Sequence, residues 1–412
     1  MTSEQLRDIE PALTGFLSHF EQFFDNRQGV IHLRNYSRGL LSDLERKTAE
    51  PLAAYAGVPP RNVQQFLKAC VWDENGLVDG IQQHLREAVA ERPDDGLGTV
   101  AVFDETSAAK QGEKTPGVQR QYLGCLGKID NGIVTVHLAA VKGGFKALLD
   151  GELFLPESWA DDRDRCDAAD IPKGMFHRPK WRIAFELFAR AYGNGWRFDW
   201  MTFDEGYGGK PNFLTLLDLS GQQYVGEVPK NFSCRTAGES DNSSAEALFS
   251  RPGVKAGKAK AFAMSRQTGP ATVWQAKSIE VCLGDEVRAR HLLIKARNRE
   301  TGEVKYFIAR SNRRTGLRRL LRVGFTRWNV EHLFRVAKDE IGLTHFEGRS
   351  YVSLKRHLAL CLTVMAFVSL HTMRLREKKS GGDVGAGLPG VEAALPEVSG
   401  PPARNHGNPM PA

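Results

Sequence analysis

Residues 99–112 read Thr99-Val100-Ala101-Val102-Phe103-Asp104-Glu105-Thr106-Ser107-Ala108-Ala109-Lys110-Gln111-Gly112. A short β-rich apolar run ends on an acidic residue, Asp104. The pattern returns a hundred residues later, where a strand over 198–203 ends on Asp204 in the stretch TFDEGYGG (202–209). Between the two lie predicted strands at 121–126 and 133–140, with Asp130-Asn131-Gly132 read as the hairpin turn joining them, and an amphipathic helix at 181–192. One more strand follows at 223–228. Hairpin-rich strands first, then helix, strand, helix, strand, predict an α/β fold: a mixed sheet flanked by helices, with acidic residues at two strand ends.

The N-terminal side reads as helical over 1–95. Val63, Phe66, Leu67 and Cys70 recur at helical spacing behind Pro59-Pro60, a helix start, and 77–89 is amphipathic. Such a module is expected either to bind DNA ends or a partner, or to cap the next domain. After residue 228, residues 233–265 are rich in Ser, Gly and Lys and read as a loop, several short strands are expected over 273–308, and helices return from 317. The expected organisation is a helical module (1–95), a core from 96–228 and 311–378, a β-rich basic insertion (229–310), and a Gly- and Pro-rich disordered tail (379–412).

At 412 residues the chain is long enough for two or three domains. Its 41% apolar, 25% charged and 9% aromatic content excludes a collagen or a disordered chain. The apolar run 358–370 is too short to span a bilayer and suits a buried helix. No basic stretch followed by an apolar one opens the sequence, so no secretory signal is expected. Six cysteines without a CxxC pair exclude a disulfide scaffold and a zinc ribbon, making a reducing cytoplasm the expected compartment. No GxxxxGK[ST] loop occurs, and no nucleotide cofactor is expected.

Charge is unevenly placed. Residues 251–322 hold 18 Lys and Arg against 5 Asp and Glu, a net +13 in a chain of net +7, leaving −6 on the remainder. A basic segment on an acidic chain points to a polyanion, nucleic acid first. A solvated basic surface would look the same.

Three acidic positions stand out: Asp104, Asp204, and Glu331 within the helical stretch RWNVEHLFRVAKDEIGL (327–343). Carboxylates at two strand ends and on a packed helix can meet at one sheet edge. Three hard oxygen donors with open positions suit two Mg²⁺ or Mn²⁺ ions in phosphodiester cleavage. Arg327, Arg335 and Lys338, at offsets −4, +4 and +7 from Glu331, share its helix face and would hold phosphates. Val330, Leu333, Phe334 and Ala337 form the stripe that docks the helix. Taken alone, a strand-end Asp is a turn residue and such a helix face an ordinary ion-pair row. Glu105 and Glu205 follow the two aspartates, and strand alternation points them elsewhere. Lys110 and Lys114 read equally as phosphate contacts or loop lysines. Arg120, Gln121 and Tyr122 read as strand, and His332 and His345, taken as the histidines nearest the site, as structural.

From about Tyr36 to Leu370 the sequence resembles the bacterial insertion-sequence transposases of the DDE superfamily, in the branch related to the IS-four-like cut-and-paste group. The stretches that carry the resemblance are RNYSRGLLSDLERK (34–47), VFDETSAAKQG (102–112), GVQRQYLGCLGKIDNG (117–132), LFLPESWADDRDRC (153–166), TFDEGYGG (202–209) and RWNVEHLFRVAKDEIGLTHFEGRS (327–350). The resemblance implies an RNase H-like core in which Asp104, Asp204 and Glu331 form the catalytic triad and hold two divalent ions. One ion activates water to free a 3′-OH at the element end, and that 3′-OH then attacks target DNA. The branch's Tyr-x2-Arg-x3-Glu-x6-Lys signature falls on Arg327, Glu331 and Lys338, with Gly324 where the Tyr stands and Phe325 beside it. It also implies double-stranded DNA as partner, a homodimer in the synaptic complex, and phosphate contacts from Arg313, Arg314, Arg318 and Arg319 in the basic segment. Two other readings share the fold: a domesticated, non-catalytic DNA-binding protein, and a stand-alone RNase H-like nuclease.

Overall fold

The computed structural model describes residues 3–264, 271–286, 288 and 290–380. The expected tail therefore lies outside the described residues from 381 onward, and its first two positions close the last helix.

The helical N-terminal stretch comprises α1 (Ser3–Ser18), α2 (Arg27–Leu41), α3 (Ala49–Ala56), α4 (Pro60–Lys68) and α5 (Glu74–Ala90). Local chemistry sets its boundaries. Asn26 and Asp73 accept the Gly29 and Gly76 amides as N-caps, and Gly57 ends α3 at φ 66°. Pro60 opens α4 as the Pro-Pro pair predicts.

The strands are β1 (Val100–Ala109), β2 (Gln119–Leu123), β3 (Lys128–Lys142), β4 (Phe145–Leu153), β5 (Trp200–Thr202), β6 (Tyr224–Val228), β7 (Ser233–Cys234), β8 (Ser243–Ser244), β9 (Lys260–Met264), β10 (Thr272–Val281), β11 (His291–Asn298) and β12 (Val304–Arg310). Among the described residues ten of them make one sheet, ordered β2-β3-β1-β5-β6-β12-β11-β10-β9, with β4 also on β3. β1, β5 and β6 run parallel, and the other pairs are antiparallel. The basic β-rich segment thus extends the main sheet past β6. The remaining helices are α6 (Glu157–Ala160), α7 (Arg163–Ala168), α8 (Lys180–Gly193), α9 (Glu205–Gly208), α10 (Pro211–Leu219), α11 (Ala245–Ser250), α12 (Leu317–Phe325), α13 (Trp328–Arg335) and α14 (Tyr351–Ser380).

The hairpin turn differs from expectation. Asp130-Asn131-Gly132 lies inside β3, and the chain reverses at 124–127, where Gly127 takes φ 65°. Gly132 is needed for close packing instead: a Cβ there would run into the Ala108 carbonyl of β1.

Alternation along β1 assigns the two sheet faces. Phe103 packs edge-on against Phe213 of α10, so α8–α10 cover that face. On the other face the Thr202 hydroxyl donates to the Gly324 carbonyl of α12 at 3.4 Å, and His137 meets the Phe334 ring of α13. α14 is long and apolar enough to cross a membrane, yet most of it is buried inside the protein, as suits a core helix. Leu360, Cys361, Val364 and Ala366 are wholly buried.

The N-terminal helices are tied to the end of α13. The Lys47 ammonium donates to the Leu40 and Ser42 carbonyls at the end of α2 and to the Glu340 carbonyl. Tyr36 donates to His357 Nδ1 at 2.8 Å, and His357 Nε2 donates to the Gly342 carbonyl at 3.1 Å. Burial depresses His357 to about 4, which keeps it neutral and leaves Nδ1 free to accept.

Candidate active site

β1 pairs with β5 through Val100–Val102 only. Asp104, two positions further, emerges beyond the C-terminal edge of β5 while still paired across to His137 in β3. Its Oδ1 accepts the Glu105 amide at 2.8 Å, and its Oδ2 accepts from Arg327 Nη1 at 3.2 Å. Burial outweighs the arginine and lifts the carboxyl to about 6, with the charge of Asp204 adding to the rise. Asp204 is therefore close enough to be felt electrically.

Asp204 follows β5 by two residues and caps α9. Its Oδ1 accepts the Gly206 amide at 2.9 Å and the Tyr207 amide at 3.3 Å, so the cap leaves Oδ2 available. The glycines of TFDEGYGG have a mechanical purpose. A Cβ on Gly208 would collide with the Glu227 carbonyl of β6. Gly208→Ala should thus push α9 off the sheet, costing about 1–3 kcal/mol in chemical denaturation and displacing Asp204. A variant as stable as the parent would show that the turn is looser than it looks.

Glu331 arrives on α13. α12 crosses the sheet from the N-terminal edge, where Arg322 pairs with Asp95 at 2.9 Å, toward the C-terminal edge. Gly324 packs flat against the sheet, and a Cβ there would sit 3.0 Å from the Phe307 ring. A side chain at that position would have to displace the Phe307 ring. Phe325 fills the core with Trp274 and Trp328, at ring separations of 4.9 and 4.4 Å. Arg327 then turns inward: Nη1 meets Asp104 and Nη2 lies 3.8 Å from Glu331 Oε1. One guanidinium holds both carboxylates. The Arg327 side chain is 16% exposed and Glu331 is 60% exposed, so the arginine is the buried partner.

The other predicted residues spread further. Arg335 donates to His332 Nδ1 at 3.0 Å. Lys338 sits in a π-helical segment, Val336–Glu340, closed by the Ile341 amide to the Val336 carbonyl at 3.1 Å. Within that wider turn α-helical spacing no longer assigns the face on which Lys338 stands. Arg313, Arg314, Arg318 and Arg319 are exposed. Arg313 and Arg314 lie in the loop before α12 and Arg318 and Arg319 in its first turn, after Arg310 pairs with Tyr224 at the N-terminal edge, with Arg319 over the Trp200 ring. That is the edge opposite Asp104 and Asp204. Lys110 is a latch, donating to the Thr344 and Phe346 carbonyls. The histidine directly across the ladder from Asp104 is His137, wholly buried and pushed down to about 4 by desolvation. His345 instead accepts the Lys47 amide at 3.1 Å.

Comparison with known proteins bears on these positions. The sequence model of the DDE superfamily endonucleases matches residues 19–299. The chain belongs to this family. The match spans Asp104 and Asp204 and stops short of Arg327 and Glu331, which reach the same edge through the fold. A relative in Microchaete diplosiphon, described as "Probable transposase for insertion sequence element IS701", is 33% identical over 196 residues, 47% of this chain and 47% of the relative. The chain matches about half the length of that relative.

Membership in the DDE superfamily implies a divalent metal ion, and the donor set fits one. Asp104, Asp204 and Glu331 offer carboxylate oxygens only, the choice of Mg²⁺ or Mn²⁺. Burial is the main cause of the raised Asp104 carboxyl, with the neighbouring Asp204 charge adding to it. A second cluster, Asp218, Glu286 and His291, is a closed network. His291 Nε2 meets Asp218 and Nδ1 meets Glu286, each at 3.1 Å. Arg310 and the Tyr224 hydroxyl take the Asp218 oxygens. These donors satisfy one another and pin β11 to α10.

Two neighbours of the site escape the sequence reading. Glu105 pairs with Lys180 of α8 at 2.5 Å, and the Tyr207 hydroxyl is buried beside the carboxylates. The basic run HRPKWR at 177–182 is the signal that could have found Lys180.

Proposed function

We propose that the chain is an insertion-sequence transposase, a Mg²⁺- or Mn²⁺-dependent DNA endonuclease and strand transferase acting on the ends of a mobile element. The observation that carries this reading is the meeting of Asp104 and Glu331 on one guanidinium, with Asp204 within electrical reach, at the sheet's C-terminal edge. Asp104, Asp204 and Glu331 would hold two ions, which would supply Lewis-acid activation of an attacking oxygen and charge stabilisation of the leaving one. Within the protein, Asp204 is fixed by its cap and Asp104 by the β1–β3 ladder, while Arg327 holds Asp104 against Glu331. Arg335 at the end of α13 and Lys338 in the π segment that follows would grip backbone phosphates. Joining two element ends calls for two copies of the chain. The working compartment is the bacterial cytoplasm, with which six unpaired cysteines agree.

The test is direct. Purified protein is incubated with end-labelled element DNA and Mg²⁺. Nicks at the element end, followed by joining to a target plasmid, are expected. Nicking without joining would leave a stand-alone nuclease, and binding without nicking a DNA-binding protein.

The four exposed arginines before and in the first turn of α12 give a further expectation. Charge reversal of Arg313, Arg314, Arg318 and Arg319 together should weaken duplex binding and flatten the log–log salt dependence by up to about 0.9 per lost phosphate contact. Because they lie at the far edge, cleavage of pre-bound DNA should keep its rate. An unchanged salt slope, read by fluorescence anisotropy, would move the DNA path off α12.

A further inference from the structure

The stretch GVQRQYLGCLGKIDNG (117–132) takes no part in the site described above. It folds into a two-stranded ribbon, β2 and the first residues of β3, reversing at 124–127. β3 runs antiparallel to β1, so the ribbon leaves the sheet at the edge of Asp104 and Asp204. The Tyr122–Ile129 pair stands eight residues along β3 from His137, the partner of Asp104. That is about 27 Å at 3.4 Å per residue.

The two faces of the ribbon differ. Leu123 is wholly buried, and the Cys125 amide donates to the Ser107 hydroxyl at 3.1 Å, which pins one face to β1. The base is fixed by Trp159, whose indole donates to the Val118 carbonyl at 2.8 Å. The other face is apolar and open. Tyr122 is 63% exposed, Ile129 directly across from it 62%, and Leu126 in the turn 45%. Adjoining apolar side chains left open on a fixed ribbon mark a contact surface. Arg120, two positions from Tyr122 and so on its face, is exposed and has no ion pair among the described residues. Lys128 is spent on Asp130 at 2.9 Å.

The occupant must therefore meet apolar side chains and a cation together, over a small area. Three side chains at a ribbon tip fall far short of the roughly 800 Å² per partner that a stable protein interface takes. The major groove of a duplex admits a two-stranded ribbon, whose apolar side chains then meet base edges while an arginine reaches phosphate. We propose that the β2–β3 ribbon enters the major groove of the bound DNA, with Tyr122 and Ile129 against the bases and Arg120 on a neighbouring phosphate. The inference rests on the proposed DNA substrate and adds to it a base-contacting element away from the cleaved bond.

The test uses the full chain and a duplex carrying an element end. Tyr122→Ala/Ile129→Ala, at two exposed positions, should keep the parental melting temperature and weaken binding several-fold. Its salt slope should not change, since no phosphate contact is lost, whereas Arg120→Ala should lower the slope by about 0.9. Abasic sites scanned along the duplex remove bases and keep phosphates. The parent should lose affinity at one or two positions where the double variant loses none. Alkylation of Cys125, exposed at the tip, should be slowed by the duplex and be indifferent to protein concentration in its absence. This arm uses the parent and stands even if the double variant fails to fold. Unslowed alkylation in saturating duplex, parental affinity in the double variant, or equal abasic losses in both proteins overturns the inference and leaves the proposed function standing. Protection of Cys125 by protein concentration alone overturns it in favour of an interface between copies. A parent that binds no duplex DNA overturns both readings.

Discussion

Asp104→Ala, Asp204→Ala and Glu331→Ala should each lower Mg²⁺-dependent cleavage by about 10³-fold or more, while DNA affinity stays within a few-fold of the parent. Loss of several kcal/mol of transition-state charge stabilisation gives that magnitude. The three are expected to behave alike in catalysis but not in stability. Asp104 is mostly buried against Arg327, so its removal strands an arginine. Asp204 caps α9, and its loss costs about 1 kcal/mol. Glu331 is largely exposed, and its loss should hardly register in denaturation. Single-turnover cleavage alongside chemical denaturation checks both columns. If Glu331→Ala cuts at the parental rate, α13 does not supply the third ligand, and Asp339 and Glu340 become the residues to test.

Why part of this was legible in the sequence is a matter of range. The strand end before Asp204 is local: an aromatic and β-branched run stops there, and the cap on α9 needs only the next three positions. Asp104 differs from expectation, since β1 runs on to Ala109 and Asp104 lies at an edge only because β5 stops short of it. The face shared by Arg327 and Glu331 is equally local, set by helical spacing. β4 was not legible, because Phe145–Leu153 reads FKALLDGEL, with helix formers at most positions. Pairing with β3 overrides that preference. The misplaced hairpin turn has the same origin. Asn131-Gly132 has good turn chemistry, but the Ala108 carbonyl needs a glycine opposite it, and only the tertiary register reveals that.

Alternation correctly sends Glu105 to the face away from Asp104. It says nothing of Asp204, which stands on a turn beyond the sheet and acts on both carboxylates. Residues that matter through such a turn have no periodic signature. His137 is invisible for a related reason, since its place beside Asp104 depends on a register fixed thirty residues away. The π segment after α13 likewise has no periodic signal. Inside it the i+7 spacing from Glu331 to Lys338 no longer implies one face.

Arg327 separates the ion-free protein from the loaded one. Its guanidinium touches Asp104 at 3.2 Å and Glu331 at 3.8 Å, with its own side chain 16% and that of Asp104 18% exposed. Breaking a pair this buried leaves a carboxylate without compensation, at about 3–5 kcal/mol. Arg327→Ala should therefore melt earlier than the parent in chelator. A divalent ion occupies the same charge deficit, so Mg²⁺ should raise the melting temperature of Arg327→Ala by more than it raises that of the parent. Arg327→Lys keeps the charge but cannot fork between two carboxylates, and it should fall between the two. The measurement is a thermal melt of each protein in chelator and in Mg²⁺, without DNA. Equal Mg²⁺ stabilisation of parent and Arg327→Ala would mean that the ion and the guanidinium act at separate places. Arg327 would then be a phosphate contact that merely rests on Asp104, and its substitution should flatten the salt slope of DNA binding instead.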